Sequence, residues 1–471
     1  MKRLLFSLVM MVLGIAVCYS QSQFLMDFHK VGDYQLDVRN LMPMRDGSVL
    51  VNSQLFSRDS GETDGSIVDA GNVFYKVTRN AEIVDSLFME DRDMNFFLLT
   101  PNPQGEDYIY ARAVRNLEEG RTDLCVQFFD DQLRFNTEKE FWVPLCESLY
   151  KPLGDRYCLD EEGNMIVALN VKDEGTHLFQ IAVDGTLMSH SLIADLPFGI
   201  YQRCLSAYDY GNGQRCLWGA ASDNSGTKTL NVAILDEELQ PKESQQFDVP
   251  QGCQYVSCDD VMNWDDHTLV VANRCNLGNG EGPAVTTYDK NTLAVVNARY
   301  FSACPEGYSG PERIAYPVGL AKASDGNLFF VYANCFEDSE SAMTEGPSGQ
   351  VCVVKMDAAL NVIWQRFFLN PVGLYPEATT VTALNDGGVA VAGYTTDGDW
   401  NQGLMFVVIK GTDGNADVDE ALVRPYACYP NPVGDALRLE YSPDVTPTAV
   451  ELYDAQGRLL TTQRGDLESV N

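Results

Sequence analysis

Three aspartates crowd a glycine-bearing stretch near the start of the chain. They are Asp59, Asp64 and Asp69, in and just after Ser57-Arg58-Asp59-Ser60-Gly61-Glu62-Thr63. Calcium takes about six to eight oxygen ligands and favours loops of this kind. The plainer reading is a solvated hairpin loop, so the expectation is no cofactor, with calcium as the alternative. The chain has 4 histidines, His29, His177, His190 and His267, and no Cys-x-x-Cys, which leaves few ligands for zinc. His267 falls in the turn Trp264-Asp265-Asp266-His267 and should be exposed. Gly-x-Ser-x-Gly, His-Glu-x-x-His and a phosphate-cradling loop are all absent. A glycosidase needs two carboxylates facing one sugar, and among 67 acidic residues no pair stands out. No catalytic residue is assigned.

Any such side chains must be held by the strands around them. The clearest stretch runs from Tyr316 to Phe368, where four short apolar runs are split by Ser324-Asp325-Gly326-Asn327, by a polar loop and by Asp357-Ala358-Ala359. Alternation with β-branched residues predicts strands, and the Asp-Gly and Asp-Ala-Ala steps predict tight turns. Four antiparallel strands of this plan make one sheet, and the plan recurs along the chain. An Asp closing the third strand sets the phase: Asp130, Asp184, Asp236, Asp289, Asp357 and Asp413, at intervals of 52 to 56 residues with one of 68. The long interval holds the loop from Cys335 to Gly349. Copy one has Thr78-Arg79-Asn80 at this place. Asp suits such a turn because its side chain bonds nearby backbone.

Units of this period predict an all-β fold, a seven-bladed β-propeller of four-stranded antiparallel blades, with six or eight as alternatives. Copy seven has three strands, and a lone strand at Phe24 to Val31 precedes copy one. Joining them would close the ring and remove exposed edges.

Formal charge is -34, from 33 Lys and Arg against 67 Asp and Glu. Such a surface repels phosphate backbones, so nucleic acid is not an expected partner. Of the 13 cysteines, Cys18 lies in the leader; the others permit disulfides without identifying pairs. Cys253 and Cys258, and Cys204 and Cys216, are near in sequence, while Cys125 and Cys352 read as small buried residues within strands.

The repeats carry a resemblance. Asn385-Asp386-Gly387-Gly388-Val389-Ala390-Val391-Ala392-Gly393-Tyr394 and Val353-Val354-Lys355-Met356-Asp357 through Trp364 are similar to the repeats of secreted bacterial propellers. That implies fold, not chemistry. The Ser57 to Thr63 stretch also resembles the start of the Asp box of sialidase-like propellers, with Asp64 at the place of the aromatic that closes the box. Those boxes are structural hairpins in their own family.

The two ends predict an address. Lys2-Arg3 followed by the apolar run Leu4 to Val17 reads as a signal peptide, too short to span a bilayer, with cleavage between Ser20 and Gln21. Lipidation at Cys18 is disfavoured by Val17 before it. At the other end, Tyr429-Pro430-Asn431-Pro432, a strand, and then Leu452-Tyr453-Asp454 with Gly457-Arg458 resemble the C-terminal sorting domain of the type IX secretion system of Bacteroidetes. The resemblance implies passage through the periplasm, contact with that secretion machinery, and release or display at the outer-membrane surface. The match covers Tyr429 to Gln463 and the second half of the family pattern is not matched after it, so a partial, β-sandwich-like sorting domain is expected.

The expected division is 1–20 signal peptide, 21–412 propeller, 413–425 linker and 426–471 partial sorting domain. The expected function is a secreted or cell-surface module, monomeric, that binds an extracellular protein or glycan through long loops such as Cys335 to Gly349 and Asn276 to Pro283. The alternative is a secreted glycosidase-like hydrolase with its site at the ring axis.

Overall fold

The computed structural model describes residues 23–27, 34–58, 67–89, 94–116, 118–146, 157–159, 162–171, 175–193, 206–211, 214–222, 228–251, 253–276, 281–301, 313–336, 350–369, 374–397 and 402–411, and, near the C-terminus, 426–429, 437–441, 450–453, 459–463 and 469–470. The chain divides into two units, Met1–Ala416 and Asp417–Asn471.

In the first unit β1 (Gln23–Asp27) stands ahead of the repeats. Sheet 1 holds β2 (Tyr34–Pro43), β3 (Val49–Arg58), β4 (Ile67–Val77) and β5 (Ile83–Met89). Sheet 2 holds β6 (Met94–Pro101), β7 (Tyr108–Asn116), β8 (Arg121–Phe129) and β9 (Phe141–Cys146). Sheet 3 holds β10 (Tyr157–Leu159), β11 (Met165–Val171), β12 (Gly175–Ile181) and β13 (Leu187–Ile193). Sheet 4 holds β14 (Ser206–Gly211), β15 (Gln214–Ser222), β16 (Lys228–Leu235) and β17 (Pro241–Gln246). Sheet 5 holds β18 (Gln254–Asn263), β19 (Thr268–Asn276), β20 (Glu281–Asp289) and β21 (Val295–Tyr300). Sheet 6 holds β22 (Arg313–Lys322), β23 (Leu328–Phe336), β24 (Gln350–Met356) and β25 (Val362–Leu369). Sheet 7 holds β26 (Leu374–Ala383), β27 (Val389–Asp397) and β28 (Gln402–Ile409), with β1 as its fourth strand. All pairings within these sheets are antiparallel and join neighbours in sequence, except that β1 runs beside β28 with Leu25 opposite Phe406.

Neighbouring sheets bury apolar faces against each other. Leu50 and Phe74 of sheet 1 meet Tyr108, Tyr110 and Phe129 of sheet 2. Leu124 and Val126 of sheet 2 meet Val167 and Phe179 of sheet 3. Ser191 of sheet 3 donates to the Glu238 carbonyl of sheet 4 at 2.5 Å. Further clusters join sheets 4 and 5, 5 and 6, and 6 and 7. The circle closes where Val49, Val51 and Tyr75 of sheet 1 pack on Ala390, Phe406 and Val408 of sheet 7. The all-β propeller fold is therefore the one the repeats predict, and each sheet stands only because two neighbours cover its faces.

The first strands of the sheets line up around the axis, and four of them carry the same irregularity. The register shifts at Arg39, Asp259, Val318 and Thr379, each five residues before its hairpin turn at Met44, Trp264, Ala323 or Leu384. A β-bulge adds one unpaired residue and bends the strand. Bonds between inner strands form at these bulges. The Leu320 amide donates to Asp260 Oδ2 at 2.8 Å, and Thr379 Oγ1 donates to the Val38 carbonyl at 2.8 Å across the closure. Gly319 gives a close approach beside the first of these bonds, since a Cβ there would lie 3.1 Å from Asp260 Oδ2 and 3.2 Å from Val381 Cγ1.

The turn aspartates behave as expected at Asp130, Asp236 and Asp357. Each accepts from the amide two residues on, at 2.8, 3.0 and 2.9 Å, and from the amide four residues on. Thr78 does the same in sheet 1 through Oγ1. Asp184 does not share their place. In sheet 3 the first turn position is Ala182, whose amide donates to the Thr186 carbonyl, and Asp184 lies two residues later, capping the Thr186 amide at 2.9 Å. It belongs with Asp46, Asp325 and Asp386, each directly before a glycine of positive φ. Asp413 lies outside the described residues.

The outer hairpins hold a feature that sequence patterning does not announce. Ala81, Leu133, Leu239, Leu293 and Leu360 sit at positive φ, between 52° and 62°, and all are buried. Leu360 joins the core between sheets 5 and 6, and Leu133 that between sheets 1 and 2. The left-handed backbone costs an L-residue about 1–2 kcal/mol, and burial of the leucine side chain, about 1.5–3 kcal/mol, offsets it.

In the second unit β29 (Tyr426–Tyr429) pairs with β30 (Leu437–Tyr441), β31 (Val450–Tyr453) with β32 (Leu459–Gln463), and β33 (Ser469–Val470) with β30. The residues leading into the Tyr-Pro-Asn-Pro motif thus form a paired strand, β29.

Candidate functional site

Most described hairpin turns at one end of the sheets span five residues; Asp289 to Ala294 in sheet 5 spans six, and sheet 2 departs further. There the β6–β7 turn runs from Asn102 to Asp107, one residue longer than the turn from Met44 to Ser48. The β8–β9 connection is longer still. After the turn Asp130–Arg134 the chain makes a bridge between Phe129 and Phe135, and then a 3-10 turn, Thr137–Lys139, capped by the Asn136 side chain on the Glu138 amide. The fourth strand, β9, begins only at Phe141. The signal for the break is Asn-Thr-Glu-Lys, an N-cap residue before acidic helix formers.

The two elaborated turns enclose a cleft of about 400 Å³ lined by Asp107, Phe129, Asp130, Arg134, Phe135, Asn136, Thr137 and Glu138. Phe129 and Phe135 form its floor, 5.3 Å apart by ring centroid, on a bed of Phe74, Tyr108 and Tyr110. The walls are polar and fixed. Asp107 accepts from Asn102 Nδ2 at 2.6 Å and pairs with Lys139 Nζ at 3.1 Å. Asp130 pairs with Arg134 at 2.7 Å. Burial pushes both carboxyls up, but the bonds from Asn102 and Lys139 on Asp107, and from Arg134 and the turn amides on Asp130, outweigh it and hold both below the ordinary value of 3.8. Both are charged at neutral pH. The cleft therefore offers fixed acceptors, a guanidinium, an amide and a hydroxyl around an aromatic floor, which is the chemistry of a polyol site.

Most residues singled out from sequence lie elsewhere. Asp69 is on β4 opposite Phe56, while Asp59 and Asp64 lie outside the described residues. No group of three or more metal-ligating side chains occurs among the described residues. Ser20, Gln21, Pro430, Asn431, Pro432, Asp454, Gly457 and Arg458 also lie outside them; Tyr429 ends β29, and Leu452 and Tyr453 lie on β31. The interiors of the Cys335 to Gly349 and Asn276 to Pro283 loops are outside as well. The strand ends that flank them, Asn276 with Glu281 and Phe336 with Gln350, are at the end of their sheets opposite the hairpin turns that correspond to the cleft. No described helix is long and apolar enough to cross a membrane.

At the axis, β2, β6, β10, β14, β18, β22 and β26 carry no histidine. Asp37 pairs with Arg39 at 2.8 Å and Asp260 accepts the Leu320 amide, so both carry structural bonds. His267 is exposed, as its turn predicts. His177 and His190 meet on β12 and β13, Nδ1 to Nε2 at 3.1 Å, with Phe179 stacked on His190 at 4.5 Å. Desolvation, then the charge of His177, hold the His190 pKa below 6.5.

The disulfide joins Cys253 to Cys275, with Cα atoms 5.6 Å apart, and not Cys253 to its sequence neighbour Cys258. Strand pairing explains the choice: Cys275 is opposite Tyr255 on β18, two residues from Cys253. Cys125 and Cys352 are buried within strands as expected. Burial pushes the Cys352 thiol up to about 12.

No protein-family model matches the chain, and no curated protein matches it. Solved structures similar to it include hydrazine synthase of Kuenenia stuttgartiensis, at 13% identity over 79% of this chain and 95% of that one, TM-score 0.44. The BP39L lectin from Burkholderia pseudomallei is 13% identical over 80% of this chain and 97% of its own, TM-score 0.44. The Dos1 propeller is 10% identical over 82% and 94%, TM-score 0.39. Likeness at this level says nothing of ligand or chemistry.

Proposed function

We propose that the protein is an exported binding module and that the sheet 2 cleft holds a saccharide. The observation carrying this is the cleft itself: a half-buried Phe135 beside Asp107, Arg134, Asn136 and Glu138, all but Asp107 on the β8–β9 connection, which alone among the described hairpins carries a 3-10 turn. Sugars present a C–H face to an aromatic ring and hydroxyls to carboxylate, amide and guanidinium groups. The cleft is open and its lining mostly polar, with the aromatic floor and a few convergent polar groups that ligand sites share. Export rests on the leader and the tail motif, and would carry the protein past the periplasm to the cell surface or beyond.

The test is a glycan array on the mature chain, with protein ligands as a second arm and calcium present or absent. Phe135→Ala and Asn136→Ala should each weaken a glycan hit by roughly tenfold, about 1.4 kcal/mol. A hit indifferent to both changes, binding to protein ligands alone, or hydrolysis of the bound glycan would overturn the reading.

A further inference from the structure

We propose that His177 and His190 form a two-histidine site for a divalent transition-metal ion, on the flank of the ring between sheets 2 and 3. Two of the 4 histidines in the chain meet here, on adjacent antiparallel strands, with Phe179 opposite His190 in register. The ring planes are 10° from parallel, with centroids 5.3 Å apart and the facing nitrogens 3.1 Å apart. Two nitrogens on one tetrahedral zinc ion, each near 2.0–2.1 Å from it, lie about 3.3 Å apart; two cis nitrogens of a square-planar or octahedral ion lie about 2.9 Å apart. The observed separation falls between these spans, so an ion needs the rings to turn but not the strands to part.

His177 is 6% exposed and anchors the pair in the packed face that carries Phe179. His190 is exposed and gives the ion its approach from solvent. The Phe179 ring lies parallel to that of His190, 4.5 Å away by centroid. Imidazole is a ligand of zinc, copper and nickel alike. In the apo pair one ring nitrogen donates to the other. With the exposed His190 as the donor ring, that proton passes through water to its Nδ1 on binding, so both facing nitrogens offer lone pairs and no net proton is released. No third ligating side chain joins them among the described residues. The formal charge of -34 favours cations over the whole surface.

The test titrates untagged full-length protein with Zn²⁺ and with Ni²⁺, read by calorimetry and by the histidine Cε1–H signals in NMR. One equivalent should bind, moving the His177 and His190 signals together and leaving His267 in place. His190→Ala should weaken binding by roughly tenfold or more, and His267→Ala should leave it unchanged. If His190→Ala alters the circular dichroism spectrum, His190→Gln replaces it. Binding that survives loss of His190, or titration that moves neither signal of the pair, overturns the proposal.

Discussion

Leu360 shows how a single position can oppose local preference. Its backbone is left-handed at φ 61°, and its side chain is 3% exposed in the core between sheets 5 and 6. Leu360→Ala should cost about 2–5 kcal/mol through the cavity it leaves. Leu360→Gly removes the same side chain but also the left-handed strain, about 1–2 kcal/mol. The usual order of the two residues therefore disappears or reverses: urea unfolding should find the glycine variant at least as stable as the alanine variant. A glycine variant clearly the weaker would show that the turn is not strained. The residue before it, Ala359, and the aspartate that begins the turn were readable as a turn; the burial of Leu360 was not, because a leucine after Asp-x-x looks like the first residue of the next strand.

At the level of strands and hairpins, much was legible. Every repeat predicted from alternation became a sheet of four neighbours, since period-two patterning and Asp-bearing turns act within one hairpin. What escaped the sequence depends on contacts between hairpins. The inner-strand bulges have no side-chain signature: Arg39, Asp259, Val318 and Thr379 share a position and nothing else. Asp184 fitted the spacing but sits two residues off the phase, because an Asp before glycine serves a turn as well as an Asp at its start. The cleft was hidden for the same reason, being built from Asp107 and from residues beginning at Phe129, in two separate turns. The closure yields a prediction of its own. Deleting residues 21–27 should raise hydrogen exchange across β28 and β27 while sparing sheets 3 and 4. Thr379→Val, which loses the bond to the Val38 carbonyl and the longer one to the Ala392 carbonyl at 3.5 Å, should cost about 1 kcal/mol. Unchanged exchange in β28 would show that β1 adds nothing to the ring.

For the molecule as a whole, charge sets the limits of stability. Turn and pair contacts depress the carboxyls of Asp46, Asp107, Asp130, Asp184, Asp265, Asp289, Asp325, Asp357 and Asp386 below the ordinary value of 3.8. In the unfolded chain these groups take up protons at higher pH than in the folded one. Their contribution is therefore complete above about pH 4 and drains away as pH falls through the depressed values. Thermal melts should show a flat midpoint from neutral pH down to about 5, then a steep fall below about 4. Asp325→Asn should flatten part of that fall, because the bond from Lys355 at 2.6 Å is what it shares with a buried cation. A midpoint that declines evenly from pH 7 would assign the loss to other groups.

The pairing of β1 with β28 has a consequence for synthesis. The strand made first finds its partner only once residue 409 has been made. At about 5–20 residues per second, that is a wait of roughly 20 to 75 s. Throughout it the nascent chain holds a lone strand and an unfinished circle, vulnerable to pairing with a neighbouring copy. Anything that shields those first residues until the last sheet arrives, a chaperone or a translocation channel, governs the yield of folded protein more than any contact inside the finished ring.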